Sequence, residues 1–594
     1  MLAVIGINLG HDSSASLIGV EGNVIFAIEE ERLNRSKGYR GIPARALASI
    51  GKEILIQDMD IERVVIGTTN QPNQSFADEL HTRLINDFLS GKENSSEQYF
   101  SRIGPGNRLK RNNSLSPELE IEALIREVLA QGGIDNSFLR SDSFEWIKHH
   151  DAHLGCGISM AKVDEPTLLL SMDGDGDGES GAVALLHEGA ISHRKTISGS
   201  LDSLGHLYSC VTQVYGFKAS KHEGKITGLA AFGKYSEAIE ILSSAIQIES
   251  GKISLRTLKR NALAKIVRRL KTVGIARNVY TDMMEIVYEA ERGTHAFPDL
   301  AFAIQFVIED AIREITAYWM NKFGCKNLVL TGGVFSNVKL NQKLAELSCV
   351  NDIRIFPNMG DGGLSCGGVW SSMLKRGMPI EAPFNNVFLG NYTKQDEITY
   401  PRGIEKIELS DRDKVDYALQ TILSGGYCGI HLGRMEFGPR ALGHRSIVFD
   451  PRYSELGNEL NRRLKRTEFM PFAPAILDAC LDDWMEPLPS CTNAFEFMTI
   501  TCKVKQERQS MIEAVVHEDG TARPQIVTRK SNQFLFELLN RFNECSGIPI
   551  LVNTSFNIHE EPINYSIEDS LKSLQMGIVD IIVIDTGILK IGNP

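Results

Sequence analysis

The residues best suited to chemistry lie in one stretch, KHHDAHLGCGISMAKVDEPTLLLSMDGDGDGES, which begins at Lys148. His149 and His153 are four residues apart, so on a helix they share one face. The apolar strand predicted after them ends in three aspartates separated by glycines, Asp173, Asp175 and Asp177. Two imidazoles beside a strand-end carboxylate make up most of a divalent metal site. The alternative is a capped helix followed by a polar turn.

A further carboxylate, Asp361, lies between glycines after a short predicted strand, Ile353–Pro357. It is a plausible partner for the two histidines. Just before it, LVLTGGVFSN (328–337) reads as a strand, a Gly-Gly turn and a helix start. A helix N-terminus at the carboxyl end of a strand favours binding of nucleotide phosphates.

The N-terminus predicts a hairpin, with strands at Ala3–Asn8 and Ala15–Gly19 around a polar turn. The turn contains His11 and Asp12. A neighbouring carboxylate orients an imidazole and raises its basicity, which suits general base catalysis. An ordinary hairpin is the alternative.

Basic residues collect in glycine- and proline-rich turns in the C-terminal third of the chain. They occur in GRMEFGPRALGHRS (433–446), in RRLKR (462–466) and at Arg523. VNTSFN (552–557) follows another apolar strand. Arginines and lysines in such turns favour a phosphate pocket, and exposed surface arginines are the alternative. The charged run at 29–38 (EEERLNRSKG) is a weaker candidate for anion binding, because most such runs are solvated faces.

Composition limits the class of protein. The 594 residues predict two or three domains. A net charge of −12 argues against nonspecific nucleic-acid binding. No apolar run reaches the roughly 18 residues of a membrane span, and the N-terminus lacks a signal-peptide pattern. Ten scattered cysteines without a CxxC pair predict a reducing cytoplasm and no structural zinc.

The rest of the sequence predicts the helices, the insertion and the domain boundary that position these motifs. Helices are predicted at Pro117–Gly132 and Phe297–Phe323, the second with a core-facing apolar stripe. Residues 70–117 are predicted to be a loop-rich insertion over the site, and 236–290 to be helical. The segment Lys221–Lys225 reads as a substrate loop or a helix boundary, with the loop preferred. Two prolines and weak periodicity place a domain boundary within 376–400.

Eight motifs together resemble the NodU/CmcH family of O-carbamoyltransferases. Arranged in the family's order over nearly the full chain, they are MLAVIGINLGHDSSASLI, EEERLNRSKG, KHHDAHLGCG, TGGVFSNVKLN, MEFGPRALGHRSI, EFMPFAP, DGTARPQ and LVNTSFN. Each motif alone is only weakly specific for the family, but the eight motifs in this order are strongly specific for it.

The resemblance implies an α/β fold, with an actin/sugar-kinase-like (ASKHA, threonylcarbamoyl-transferase-like) domain at 1–380. A YrdC-like α+β domain at 395–594 follows. It also implies that the second domain converts ATP and carbamoyl phosphate to carbamoyl-adenylate. The first domain then passes the carbamoyl group to a hydroxyl of a small-molecule acceptor. The implied cofactors are ATP, Mg²⁺ and a metal ion in the first domain, Fe²⁺ or another divalent transition metal.

Roles for single residues follow from the same resemblance. His149, His153 and Asp361 match the metal ligands, and Asp173 is the fourth candidate. His11 matches the catalytic histidine, which Asp12 orients. The remaining matches fall into two groups. Arg440, Lys465, Arg523 and Ser555 match the carbamoyl-phosphate and adenylate pocket, and Gly332, Gly333 and Asn337 match the nucleotide turn.

The pattern departs from the family at Met470, where some relatives carry an arginine. That leaves open whether Lys465 or Arg466 contacts carbamoyl phosphate. Alternatives are a threonylcarbamoyl-type tRNA-modifying enzyme, which the low isoelectric point and the fused second domain disfavour, and a non-catalytic ATPase of the same fold. A hydrogenase-maturation enzyme is disfavoured by the missing paired-cysteine motifs. The acceptor is not indicated by the sequence, and a homodimer is the default expectation.

Overall fold

The computed structural model describes residues 2–67, 77, 79–80, 116–134, 143–162, 164–255, 276–378, 380, 384–392, 400–465 and 472–592. Most of the predicted insertion at 70–117 therefore lies outside the described residues. In the described part, no helix has both the length and the apolar character needed to cross a membrane.

The N-terminal part contains two five-stranded sheets of identical strand order. The first has the order β3-β2-β1-β4-β5. The second, written from the equivalent edge, has the order β8-β7-β6-β11-β12. In each sheet, the three strands that come first in the chain pair antiparallel. The two strands that come last in the chain run parallel to the first strand. The strands of the first sheet are β1 (Leu2–Asn8), β2 (Ser14–Gly19), β3 (Val24–Glu29), β4 (Asp60–Gly67) and β5 (Phe144–Ile147). Those of the second are β6 (Thr167–Gly176), β7 (Glu179–His187), β8 (Ala190–Gly199), β11 (Asn327–Thr331) and β12 (Asp352–Ile355). This repeated arrangement is the actin/sugar-kinase fold predicted from the sequence.

Helices flank these sheets. They are α1 (Glu30–Asn34), α2 (Ala44–Gln57), α3 (Pro117–Gln131), α4 (His149–Met160), α5 (Leu204–Val214), α6 (Glu223–Ala230), α7 (Ala238–Ala245), α8 (Ala276–Arg292), α9 (Asp299–Phe323), α10 (Val338–Ala345) and α11 (Leu364–Lys375). The apolar stripe of α9 is buried, as predicted. The prediction that 236–290 is helical was wrong in part, because a hairpin of β9 (Ile246–Glu249) and β10 (Lys252–Leu255) interrupts it. Since α6 begins at Glu223, the predicted loop at Lys221–Lys225 is in fact a helix boundary.

The C-terminal part is built on one mixed eight-stranded sheet of order β14-β25-β24-β15-β17-β23-β18-β22. Its strands are β14 (Ile404–Glu408), β15 (Cys428–His431), β17 (Arg445–Phe449), β18 (Ala473–Leu477), β22 (Gln525–Val527), β23 (Ile550–Ser555), β24 (Ile581–Ile584) and β25 (Gly587–Ile591). Smaller sheets pair β13 (Phe388–Tyr392) with β16 (Arg434–Glu436), and β20 (Cys502–Val504) with β19 (Met485–Glu486) and β21 (Thr521–Ala522). The helices are α12 (Asp411–Leu423), α13 (Ser454–Arg463), α14 (Leu481–Trp484), α15 (Thr492–Glu496), α16 (Gln533–Ser546) and α17 (Ile567–Gln575). The predicted α+β, YrdC-like class agrees with this sheet, whereas the domain boundary at 376–400 stays a prediction.

Two glycines allow α4 and α11 to pack at backbone distance. A Cβ added to Gly155 would lie 1.9 Å from the carbonyl oxygen of Gly367, and one added to Gly367 would lie 2.0 Å from that of Ala152. Each helix follows the last strand of its own sheet, so this contact joins the two sheets at equivalent places. It also places the start of α4 beside the residues that precede α11.

We expect Gly155→Ala to destabilise the protein by about 2–3 kcal/mol, because the methyl group must push backbone against backbone. The midpoint of thermal unfolding measures this loss. Gly199→Ala is the matched control, since its Cβ would meet no atom nearer than 3.7 Å. If the Gly155→Ala protein has the same unfolding midpoint as the wild type, this contact does not set the helix spacing.

Candidate functional site

His149, His153, Asp173 and Asp361 converge on one point between the two N-terminal sheets. One ligand atom from each lies within 4.8 Å of all the others. The Nε2 atom of His149 is 3.2 Å from Asp173 Oδ2 and 3.7 Å from Asp361 Oδ1. The corresponding distances from Nε2 of His153 are 3.7 and 3.5 Å. The helical spacing of the histidines and the strand-end position of Asp173 produce this convergence.

The electrostatics of the cluster favour a positive charge at its centre. Burial disfavours a charged His149 ring, but Asp361 and Asp173 outweigh burial and raise the pKa of His149 to about 9. Burial likewise opposes ionisation of Asp173, but the hydrogen bond from His149 holds its pKa well below the usual range. Neither ring nitrogen of His153, which is fully buried, has a hydrogen-bond partner among the described residues. Imidazole and carboxylate ligands in a buried cluster suit a divalent transition metal.

The other polar residues of the same stretch have structural roles. His150 points away from the cluster, with its ring nitrogens 2.8 Å from Ser171 Oγ and 3.2 Å from the Glu179 carbonyl oxygen. The Asp177 carboxylate accepts a hydrogen bond from the His149 backbone N–H at 2.9 Å, and so caps α4. Asp175 accepts a hydrogen bond from Ser200.

His11 and Asp12 lie in the turn after β1, next to the cluster of candidate metal ligands. The His11 Nδ1 atom is 2.8 Å from Asp12 Oδ2. Burial disfavours a charged ring, but Asp12, and at longer range Asp361 and Asp173, raise the pKa of His11 to about 9. The Asn8 side chain donates hydrogen bonds to the carbonyl oxygens of His11 and Asp361, at 2.9 and 2.8 Å. The turn and the cluster are therefore held together.

The predicted nucleotide turn closes over the same cluster. Gly332 has a φ of +97°, and a Cβ there would lie 2.1 Å from the Met172 carbonyl oxygen, so only glycine fits. The Gly333 N–H donates to Asp173 Oδ1 at 3.1 Å. Asn337 caps α10, because its side-chain oxygen accepts from the Leu340 N–H at 3.2 Å. Gly333 and Asn337 line the cavity described below.

Arg440 and Arg523 form a pair of cations without carboxylate partners among the described residues. Burial lowers the pKa of Arg440 to about 10. Burial, together with the neighbouring charge of Arg440, lowers the pKa of Arg523 well below its usual range. Two adjacent guanidinium groups that lack counter-charges favour an anionic ligand.

Lys465 is placed differently from these two arginines. Its side chain is exposed and does not line the cavity, and its backbone has a φ of +56°. Arg466 and Met470 lie outside the described residues. The match of Lys465 or Arg466 to a carbamoyl-phosphate contact therefore stays a prediction.

One cavity of about 740 Å³ joins both groups of residues. Its wall includes His11, Asp173 and Asp361 on one side, and Arg440, Arg523 and Ser555 on the other. The sequence places these groups in different parts of the chain, and the fold brings them to a single cavity that is partly open to solvent.

Sequence reasoning missed several residues of this wall. Glu29, at the end of β3, is buried and accepts a hydrogen bond from Asn358 at 2.9 Å. Burial outweighs the nearby Arg32 and raises the pKa of Glu29 to about 7. Arg32, which lines the cavity, donates to the Gly438 carbonyl oxygen at 2.7 Å; Arg35, which does not line it, donates to that of Ile563 at the same distance. The charged run after β3 was the signal for these residues, and both arginines hold distant chain segments together.

Two sheets with this strand order are typical of the ATP-binding actin/sugar-kinase class. Comparison of the sequence with models of known families identifies the family. The family model described as "Carbamoyltransferase N-terminus" matches residues 3–369, and "Carbamoyltransferase C-terminus" matches 419–590. The chain belongs to this carbamoyltransferase family, as its motifs predicted, and it is a carbamoyl-transferring enzyme.

Relatives in other organisms align over most of the chain. Nodulation protein NolNO of Sinorhizobium fredii is 29% identical over 98% of this chain and 79% of its own. Nodulation protein NolO of Bradyrhizobium diazoefficiens is 30% identical over 72% of this chain and 75% of its own. An uncharacterised protein of Methanocaldococcus jannaschii, MJ1051, is 28% identical over 96% of both chains.

Because a cation stabilises the convergent carboxylates, we expect the protein to bind one divalent transition metal per chain. Replacing Asp361 by Asn removes a charged ligand and should weaken metal affinity by at least about 100-fold. Metal content by elemental analysis and titration with Mn²⁺ measure the change. His150→Gln is the matched control, since this ring does not face the cluster. Equal metal content in both variants would contradict the site.

Proposed function

We propose that this enzyme is an O-carbamoyltransferase that makes carbamoyl-adenylate from ATP and carbamoyl phosphate and then carbamoylates a hydroxyl of a small-molecule acceptor. The observation that carries the proposal is the single cavity, which places the unpaired arginines and the His11–metal cluster region in one space. A two-step reaction with a hydrolysable intermediate benefits when both steps take place in one cavity, because the intermediate has a short path between them.

The first step belongs to the arginine side of the cavity. Arg440 and Arg523 bind the phosphoryl oxygens of carbamoyl phosphate and of Mg²⁺-bound ATP. Water cleaves carbamoyl phosphate to carbamate and inorganic phosphate, and a carbamate oxygen then attacks the α-phosphorus of ATP and displaces pyrophosphate. The products are carbamoyl-adenylate, pyrophosphate and phosphate. Ser555, at the end of β23, lines this part of the wall.

The second step belongs to the His11 side. The acceptor hydroxyl attacks the carbamoyl carbon, its proton passes to Nε2 of the neutral form of His11, and AMP leaves with the bonding electrons. Because the pKa of His11 is raised to about 9, this neutral form is the minor one at pH 7, and the step should speed up as the pH rises toward 9. Asp12 holds the other ring nitrogen and so orients Nε2. The nucleotide turn at Gly333 and Asn337 places the adenylate. A divalent metal such as Fe²⁺, held by the four-residue cluster, supplies electrophilic stabilisation of phosphate or carbonyl oxygens.

The setting and the acceptor are further parts of the proposal. All ten cysteines are free thiols, which supports work in a reducing cytoplasm. The acceptor is a hydroxyl-bearing natural product on the route to an antibiotic or toxin, by the family resemblance. A homodimer stays a prediction.

Release of pyrophosphate from ATP should depend on carbamoyl phosphate. The assay supplies Mg²⁺ and Fe²⁺ and follows pyrophosphate enzymatically. Arg523→Gln should lower this release by at least about 100-fold, because a buried charge–charge contact to the phosphoryl group is lost. Pyrophosphate release that is independent of carbamoyl phosphate would favour an ATPase function instead.

His11→Asn should leave pyrophosphate release intact and slow transfer about 100- to 10,000-fold, because only the proton acceptor is removed. Transfer is measured with radiolabelled carbamoyl phosphate and a panel of polyhydroxylated alcohols. Arg523→Gln serves as the reciprocal control, because it should still use supplied carbamoyl-adenylate. A folded His11→Asn protein that has lost both activities would contradict this division between the two steps.

A further inference from the structure

A lysine bridges the two sides of the cavity. Lys339 lies in the first turn of α10 and donates hydrogen bonds to the Asp519 carboxylate and, at 2.6 Å, to Thr521 Oγ1. Lys339 belongs to the motif TGGVFSNVKLN, whereas Asp519 and Thr521 belong to the motif DGTARPQ, 180 and 182 residues further along the chain. The sequence gives no sign that these two motifs touch.

The partners of Lys339 form the turn that leads into Arg523. The Asp519 carboxylate accepts hydrogen bonds from the Thr521 N–H at 3.2 Å and from its hydroxyl at 2.7 Å. Thr521 Oγ1 also lies 3.2 Å from His517 Nδ1. Thr521 and Ala522 then form β21, and Arg523 follows directly. The conformation of this turn therefore determines where the Arg523 guanidinium enters the cavity.

The other end of the bridge is the nucleotide turn. Lys339 is two residues beyond Asn337, which caps the same helix, and both side chains line the cavity. Neutral hydrogen bonds already dock α10 on the C-terminal part, from Asn341 to the Thr499 carbonyl oxygen at 2.7 Å and from Thr501 to Gln342 at 2.7 Å. The Lys339 contact is thus not needed to hold the helix in place.

The solvent exposure of the Lys339–Asp519 ion pair favours a role in positioning over a role in folding stability. The Lys339 and Asp519 side chains are 19% and 38% exposed. Ion pairs with this much solvent contact contribute little to folding stability. Backbone hydrogen bonds close this turn and pair its end with β20, and the Lys339 contact adds a link from the turn to α10 next to the ligand space.

We propose that Lys339 is a positioning residue that fixes the 517–521 turn, and thereby Arg523, in register with the nucleotide turn. This inference rests on the proposed function, because it assigns Lys339 to carbamoyl-phosphate recognition in the first step. Lys339 acts through Asp519 and Thr521, and its loss leaves Arg523 present but misplaced.

The test is steady-state pyrophosphate release by the full-length enzyme, with the KM for carbamoyl phosphate as the readout. Lys339→Met should raise this KM by about tenfold or more, the effect of losing one charged hydrogen bond, with an unchanged melting midpoint. Asp519→Asn should give a similar rise, and Lys339→Arg should restore part of the loss. Lys343→Met is the matched control on the same helix, since Lys343 pairs with Glu346 at 2.9 Å outside the cavity.

The double variant Lys339→Met/Asp519→Asn separates positioning from independent effects. We expect its KM to be no higher than that of the worse single variant, because both substitutions break one contact. Two outcomes would overturn the inference: a Lys339→Met enzyme with the wild-type KM, or losses that multiply in the double variant. A wild-type enzyme without carbamoyl-phosphate-dependent release overturns the proposed function and this inference together, whereas wild-type activity with an unaffected Lys339→Met enzyme overturns only the inference.

Discussion

The close packing of α4 on α11 is the constraint on which the rest of the structure depends. Glycines at 155 and 367 leave room for carbonyl oxygens where side chains would otherwise stand. Because α4 carries the two cluster histidines and α11 begins just after Asp361, the spacing of these helices sets the spacing of the candidate metal ligands. Asp177, which caps α4, further fixes the first of those histidines.

Charge balance divides the cavity into two chemically different sides. Around the cluster, carboxylates outnumber cations and raise the pKa of both His11 and His149 to about 9. Around Arg440 and Arg523, cations lack carboxylate partners among the described residues, and burial lowers their pKa values. One side thus favours a cation and the other an anion. Such a gradient within one cavity suits the proposed reaction, in which the carbamoyl group arrives on a phosphate dianion and leaves in a neutral carbamate ester.

The sequence predicted the local elements of the site better than their assembly. The four-residue spacing of the histidines and the Gly-Gly turn specify short-range geometry, and the structure has both as expected. The hairpin within 236–290 was missed because its strands have only four residues each, too few for a clear alternation. The proximity of Glu29 to Asn358, or of Lys339 to Asp519, depends on long-range packing, for which local periodicity carries no signal. Lys465 was predicted from a motif match to line the phosphate pocket, but its side chain is exposed and does not line the cavity. A motif match alone does not determine the direction of a side chain.

The matching order of the two N-terminal sheets has a mechanical consequence. The cluster takes His149 and His153 from the helix that follows the first sheet, and Asp173 and Asp361 from the ends of strands and turns of the second. A cation bound there is attached to both halves of a duplicated architecture. Any hinge motion that separates the halves would have to stretch that coordination, so a bound ion would link the two halves as well as supply charge, and its removal would free them to move apart.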